Sequence, residues 1–247
     1  KYEFVDAVIR AEAEKPLLQL VRGFEQNGRI VPTPNVTCRN EDGDIHISPL
    51  LPQSPDLDDY EYTRFELIEP KTSIYPPGAP PRWSLEVCRG CIFNCSICGG
   101  SAYTYKTHFG MKRPAFRSPQ KIASDMQKLD EQGVKFIGLY QDPRMGGRKY
   151  WEELFSVLRN TKLNLERLSL DMLAPAREEF IKEIASLEQP IIIHICPDTG
   201  SNEVRRKLQR YYSNEQLLDT VKLCHKYHIP VTTFFSAGLA GENENNI

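Results

Sequence analysis

The chain has 247 residues, 40% of them hydrophobic and 26% charged, with a formal net charge of −2. That length buries one large core or two modest ones, and a near-neutral balance without a block of Lys or Arg argues against a general nucleic-acid surface. No apolar run approaches the ~20 residues of a membrane span, no secretory signal is present, and seven cysteines, four of them within residues 88–98, point to metal ligation in a reducing, cytoplasmic setting, not to a disulfide frame.

The chain lacks an initiating Met and opens inside an ongoing pattern, so an excised piece of a longer protein is expected. Phe4 to Ile9 reads as a strand. Leu17, Leu18, Val21 and Phe24 follow at helical spacing, with Pro16 in the first turn and Gly28 as the stop. Val36 to Arg39 and Asp44 to Ile47 flank Asp42-Gly43, a hairpin signal. Cys38 in the first of these strands reads as a packed thiol. Residues 49–82 are dense in proline (Pro49, Pro52, Pro55, Pro70, Pro76, Pro77, Pro80, Pro81) and aperiodic, which predicts an extended linker.

Trp83 to Val87 is a short strand that leads into Cys88-Arg89-Gly90-Cys91-Ile92-Phe93-Asn94-Cys95-Ser96-Ile97-Cys98-Gly99-Gly100. Cys91, Cys95 and Cys98 are spaced so that one tight loop can aim three thiolates at a common centre. Three thiolates on a four-iron cubane leave one iron open to a ligand, which implies chemistry and not only structure. Ala102 to Phe116, with Tyr103, Tyr105, Lys106 and His108, reads as a loop facing a substrate or solvent.

Beyond it, Ser118-Pro119 caps a helix through Ile122, Met126 and Leu129 that ends at Gly133. Strands are predicted at Val134–Leu139, Leu168–Leu173, Pro190–Cys196 and Ile229–Phe235, alternating with helices built on Trp151 to Leu158, Phe180 to Leu187 and Leu217 to Cys224. Ser213 and Gln216 form a capping-box signature for the last helix. Such alternation means parallel βαβ units, whose active sites lie at the C-terminal strand ends. Asp142, Asp171, Asp198 and the glycines after the last strand stand at or near those ends.

The cysteine triplet, with an apolar residue before its last member, resembles the cluster loop of the radical S-adenosylmethionine (SAM) enzymes. Its setting, C-R-G-C-x-x-x-C-S-x-C-G, is most similar to the cobalamin-dependent branch. The resemblance implies a partial (β/α) TIM-type barrel over residues 83–247, one unit short. It also implies the end of an upstream cobalamin-binding domain plus a hairpin over 1–48, joined by the linker 49–82; there, Asp6 to Leu20 is similar to the closing phrase of such a domain, with Ala11 and Ala13 where Gly is usual.

It further implies a 4Fe–4S cluster on Cys91, Cys95 and Cys98, SAM as cosubstrate, an electron donor such as flavodoxin or ferredoxin, and leaves cobalamin open. Carried over residue by residue, Asp142 would accept the methionine ammonium and Asp198 the ribose hydroxyls. Arg210 would hold the methionine carboxylate, and Ile97 would pack near the adenine. Gly99 and Gly100 would turn the loop across the cluster, and Gly238 and Gly241 would let the backbone approach the adenine.

Rival readings stand beside each assignment. Asp142 before Pro143 is equally a turn former, and Asp171, the one catalytic candidate, is equally a satisfied core carboxylate. Arg205, Arg206, Lys207 and Arg210 read mostly as a solvated basic helix face, and His194, His225 and His228 as structural. Cys88 as a fourth ligand would make a closed zinc or cluster site in a non-enzymatic α/β module. A methylthiotransferase-type enzyme would need a second cluster, whereas only Cys38 precedes the loop here. The expectation is a radical SAM enzyme that cleaves SAM to a 5′-deoxyadenosyl radical, with cobalamin-dependent methyl transfer or a related radical reaction as its chemistry and no substrate legible.

Overall fold

The computed structural model describes residues 4–40, 42–51, 56–67 and 81–244. They form two compact units, one from the described residues of 1–55 with 90–94 and 98–115, the other from those of 56–89, 95–97 and 116–247. The expected linker is therefore divided. Its residues 56–67 carry two short 3-10 turns, Leu57–Asp59 and Phe65–Leu67, while Pro52, Pro55, Pro70, Pro76, Pro77 and Pro80 lie outside the described residues.

In the first unit β1 (Ala7–Ile9), β2 (Val36–Arg39) and β3 (Ile45–Ile47) make an antiparallel sheet in sequential order. The hairpin turns at Gly43, whose φ of 84° suits a residue without a Cβ. Cys38 is buried as expected. Helix α1 (Glu14–Asn27) ends where Gly28 adopts the left-handed conformation and gives its N–H to Phe24 O at 2.8 Å. Its apolar stripe, Leu17, Leu18, Val21 and Phe24, is nonetheless exposed. Helical spacing reports the face a helix would bury, and among the described residues of this unit that face is left about half exposed. A seven-residue helix, α2 (Ala102–His108), replaces the expected loop; Ser101 caps it by accepting the Thr104 N–H.

The second unit is built on five parallel strands, β4 (Arg82–Glu86), β5 (Phe136–Tyr140), β6 (Arg167–Met172), β7 (Ile191–Asp198) and β8 (Val231–Phe235). Their spatial order equals their chain order. Each parallel neighbour is reached through a crossover: α3 (Pro119–Glu131), α4 (Arg148–Arg159), α5 (Glu178–Ala185), and the pair α6 (Asn202–Lys207) and α7 (Asn214–Lys226). Ser118 and Pro119 start α3 as predicted, and both bonds of the Ser213–Gln216 capping box are formed. This is the α/β architecture of a partial TIM-type barrel.

Among the described residues of this unit, the helices seal one sheet face. Leu85, Ile137, Leu139, Leu168, Leu170, Ile193 and Ile195 are almost wholly buried with Met126, Leu154, Phe155, Ile181 and Ile184 of the helices. The alternate residues, Ser84, Gly138, Ser169, Asp171 and His194, line a cleft. Ile191-Ile192-Ile193, expected as a buried run, follows the same rule: only Ile193 is fully buried. Two-fold strand periodicity overrides local hydrophobicity wherever one face stays open.

Two devices hold the segment that precedes α3. The Arg117 N–H bonds Val87 O at 3.0 Å, and the Tyr150 hydroxyl lies 2.9 Å from Arg117 O and 3.4 Å from Val87 O. Arg117 itself is completely buried, paired with the equally buried Asp125, while its guanidinium lies 4.3 Å from the Tyr62 ring centre. Lys121 supports Asp125 from the surface at 3.0 Å. Breaking a buried pair leaves an uncompensated charge, so Asp125→Ala is expected to cost about 3–5 kcal/mol. Lys121→Ala should cost below about 1 kcal/mol. Urea denaturation of the two variants checks the order, and equal losses would refute this account of the pair.

Candidate active site

The cysteine loop is bound to itself by backbone hydrogen bonds. Ala102 N–H reaches Phe93 O at 2.8 Å, Ser101 N–H reaches Cys98 O at 3.3 Å, and Asn94 Oδ1 accepts the Tyr103 N–H at 2.7 Å. Cys98 is exposed, and Cys91 and Cys95 are partly exposed. Backbone N–H groups already point at two sulfurs, Phe93 N at Cys91 Sγ (3.4 Å) and Gly100 N at Cys98 Sγ (3.3 Å). Cys88, by contrast, is buried, only 1% exposed.

Cys91 and Cys98 belong to the first unit and Cys95 to the second. Among the described residues no group of three His, Cys, Asp or Glu is drawn together tightly enough to hold a metal ion. The donor chemistry nevertheless fits an iron–sulfur cluster: three accessible sulfurs at loop spacing, two with N–H donors in place. Metal–sulfur bonds supply the free energy that gathers such ligands, because metal binding and local ordering are one equilibrium.

Beside Cys95, the Ser96 N–H bonds Leu208 O at 3.1 Å, which ties this part of the loop to the end of α6. Ile97 follows it and is half exposed. Gly238 and Gly241 both adopt positive φ, 82° and 94°, and Glu242 accepts the Leu239 N–H to close the turn.

The acidic groups after the strands are already engaged. Asp142 is buried and accepts from Arg144 through both oxygens, at 2.9 and 2.5 Å, and from the Leu173 N–H at 2.9 Å. Asp198, at a φ of 64°, pairs with Arg210, whose second nitrogen bonds Leu173 O at 2.9 Å. Burial opposes the Arg210 charge, yet Tyr212 and Asp198 outweigh it and hold the group above its ordinary value. Arg205 corrects the expectation of a solvated basic face. It is fully buried, with Nη1 on Asn202 Oδ1 at 3.0 Å, Nη2 on Thr199 O, and its guanidinium 4.9 Å from the Tyr212 ring.

Asp171 occupies the cleft-facing position of β6, and His194 stands beside it in register on β7. His194 Nδ1 lies 3.7 Å from Asp171 Oδ1, and Asp171 Oδ2 accepts the Gln141 N–H at 3.4 Å. Burial, aided by Asp142, raises the Asp171 carboxyl above the usual aspartate range despite the Gln141 N–H and His194. Cys196, two residues along the same strand, is likewise pushed up, by burial first and then by Asp198 and Asp171. His194 was missed as a site residue because a lone His in an apolar run reads as structural. Strand parity was the available signal: 192, 194, 196 and 198 share one face.

A carboxyl raised by burial favours the folded state while protonated, below the unfolded value near 3.8. That contribution is lost as pH rises through the raised folded value. Asp171→Asn should therefore raise Tm at pH 7.5, by roughly 1–3 °C, with the gain vanishing near pH 3.5. Thermal melts across that range test it; a lowered Tm at pH 7.5 would show that the charged form is favoured by the fold.

Comparison with known proteins places these features. A profile of the Radical SAM superfamily matches residues 85–247. The chain is 26% identical over 202 residues to tRNA-2-methylthio-N(6)-dimethylallyladenosine synthase of Sulfurihydrogenibium sp., covering 78% of this chain and 40% of that protein. The radical S-adenosylmethionine methyltransferase TsrM from Kitasatospora setae, solved with cobalamin and a 4Fe–4S cluster, superposes with a TM-score of 0.69 at 17% identity, over 98% of this chain and 47% of that one. The cobalamin-dependent radical enzyme OxsB, with aqua-cobalamin and S-adenosylmethionine bound, gives 0.65 at 13% identity, over 93% of this chain and 33% of that one. The chain thus spans less than half the length of each of these proteins, and at such identities the solved structures establish a shared fold. The profile match runs from β4 through β8 and includes the cysteine loop, so the chain belongs to the Radical SAM superfamily of enzymes.

Proposed function

We propose that this chain carries the catalytic core of a cobalamin-dependent radical SAM enzyme, with methyl transfer as its reaction. The observation that carries the reading is the match over residues 85–247 together with the accessible triplet Cys91, Cys95 and Cys98 inside it. These three residues would hold a 4Fe–4S cluster. The burial of Cys88 supports a triplet over a closed four-thiolate site. When bound and reduced, the cluster supplies the electron that cleaves SAM to methionine and a 5′-deoxyadenosyl radical able to take a substrate hydrogen. The cobalamin assignment is supported by likeness in fold to TsrM and OxsB, both solved with that cofactor.

The chain's own residues would bind and orient SAM. Arg210 offers a planar fork for a carboxylate, and its partner Asp198 would turn from that guanidinium toward ribose hydroxyls. Gly238 leaves the turn after β8 open to a flat base, while at Gly241 the Lys207 side chain stands alongside and would move with it; Ile97 is an apolar neighbour for the base. Asp142 serves this site by position. Its carboxylate is spent on Arg144 and Leu173, so a methionine ammonium would share it with Arg144. An electron donor such as flavodoxin or ferredoxin is required by the chemistry.

A second reading, methylthio transfer, is favoured by the likeness to tRNA-2-methylthio-N(6)-dimethylallyladenosine synthase. It demands two clusters, so iron content separates it: about four irons per chain for the first reading and more for the second.

Anaerobic reconstitution with iron and sulfide, followed by EPR of the reduced protein with and without SAM, is the test. A 4Fe–4S signal that changes on adding SAM is expected. Cys91→Ala, Cys95→Ala and Cys98→Ala should each abolish it, while Cys88→Ala should retain it. Bound zinc, or a cluster indifferent to SAM, would overturn the proposal.

A further inference from the structure

The open face of the parallel sheet is layered. Arg82, Phe136 and Arg167 stand in register, with the two guanidinium groups 5.6 and 4.8 Å from the Phe136 ring centre. The next layer is small: Ser84, Gly138 and Ser169. A Cβ on Gly138 would come within 3.0 Å of Ser169 Oγ, so only glycine keeps this layer open without a shift. Above it stand Tyr140, Asp171 and His194. Together with Trp83 these layers bound a cleft of about 310 Å³, the lower end of small-molecule sites.

The polar pair in this cleft is oriented from three sides. Asp171 is fixed through Oδ2 by the Gln141 N–H, and its Oδ1 faces His194 Nδ1. The His194 ring also stands edge-on to Phe234, at 5.5 Å and 90°. A carboxylate beside Nδ1 favours the tautomer with the proton on that nitrogen, which leaves Nε2 as an acceptor. Asp171 and His194 are 26% and 31% exposed, so both remain within reach of a ligand. A site built to accept a hydrogen bond rejects an analogue lacking the donor far better than an apolar pocket rejects one of altered size.

We infer that this cleft is a subsite for a flat, ring-bearing substrate that carries an O–H or N–H donor, with His194 Nε2 as the acceptor and Asp171 as its positioning residue. The ring lies between Phe136 and Tyr140, which share the open face of β5, and its edge fits over the gap at Gly138. Selection rests on the donor, since the rings alone would take any flat molecule. The inference depends on the barrel being the reaction chamber of the proposed enzyme, but its test needs no cluster, so the two can fail separately.

Phenol and anisole share a ring and differ in the O–H donor. With the full 15N-labelled chain, phenol should shift the His194 Nε2 resonance saturably in the millimolar range and anisole at least tenfold more weakly. The resonances of the free protein should report the Nδ1–H tautomer. Asp171→Asn should shift the tautomer balance and weaken phenol at least fivefold, while the wild-type phenol–anisole comparison stands even if that variant folds poorly. Equal affinity for phenol and anisole, no saturable shift, or an Nε2–H tautomer in the wild type would each overturn the inference.

Discussion

Among the described residues of the second unit, the five-stranded parallel sheet is sealed on one side only, and the rest of the unit follows from that constraint. In a strand, neighbouring residues face opposite ways. With Leu85, Leu139, Leu170 and Ile193 committed to the helices, Ser84, Gly138, Ser169, Asp171 and His194 have no choice of side. The register across neighbouring strands then converts sequence-distant residues into layers. Asp171 and His194 are twenty-three positions apart in sequence and adjacent in space.

A second constraint acts at the base of the cysteine loop. Val87 and Arg117 enclose a long excursion between β4 and α3, and a loop of that length loses much conformational entropy when its ends are brought together. The Arg117–Val87 backbone bond, the Tyr150 hydroxyl and the buried Arg117–Asp125 pair hold those ends. Burying such a pair contributes little net stability compared with an apolar filling. Its use here is positional, because the guanidinium also reaches Glu86 O and the Tyr62 ring.

Charge at the strand ends is managed in pairs. Asp142 with Arg144 and Asp198 with Arg210 are each mostly buried, and each pair is tied to the same short segment: Asp142 through the Leu173 N–H, Arg210 through Leu173 O. A ligand carrying both an ammonium and a carboxylate would meet matched partners of both signs within preformed networks. Asp171 is the exception, a carboxyl raised by burial, whose neighbour in register is the His194 imidazole and not a guanidinium.

Much of the architecture was legible without coordinates. Ser118-Pro119, Gly28, Asp42-Gly43 and the Ser213–Gln216 capping box act within a few residues of themselves, so their signals survive in one dimension. Alternating strands and helices predicted a parallel α/β core for the same reason, and the cysteine spacing carried the family resemblance that the match over residues 85–247 shows, because spacing within one loop is local.

What depended on contacts between distant segments was decided only by tertiary structure. The Leu17–Phe24 stripe had the right period for a buried face and is exposed, because burial requires a partner element that no helical period encodes. Arg205 read as solvated and is buried, since the chain folds back on both sides of α6 and closes the Thr199 carbonyl and Tyr212, six and seven residues away, around its guanidinium. His194 read as structural and faces a cleft, because its neighbours Asp171 and Phe234 arrive from adjacent strands. Sequence determines which elements form; packing and register determine which side chains meet, through distances that only the folded chain brings within range.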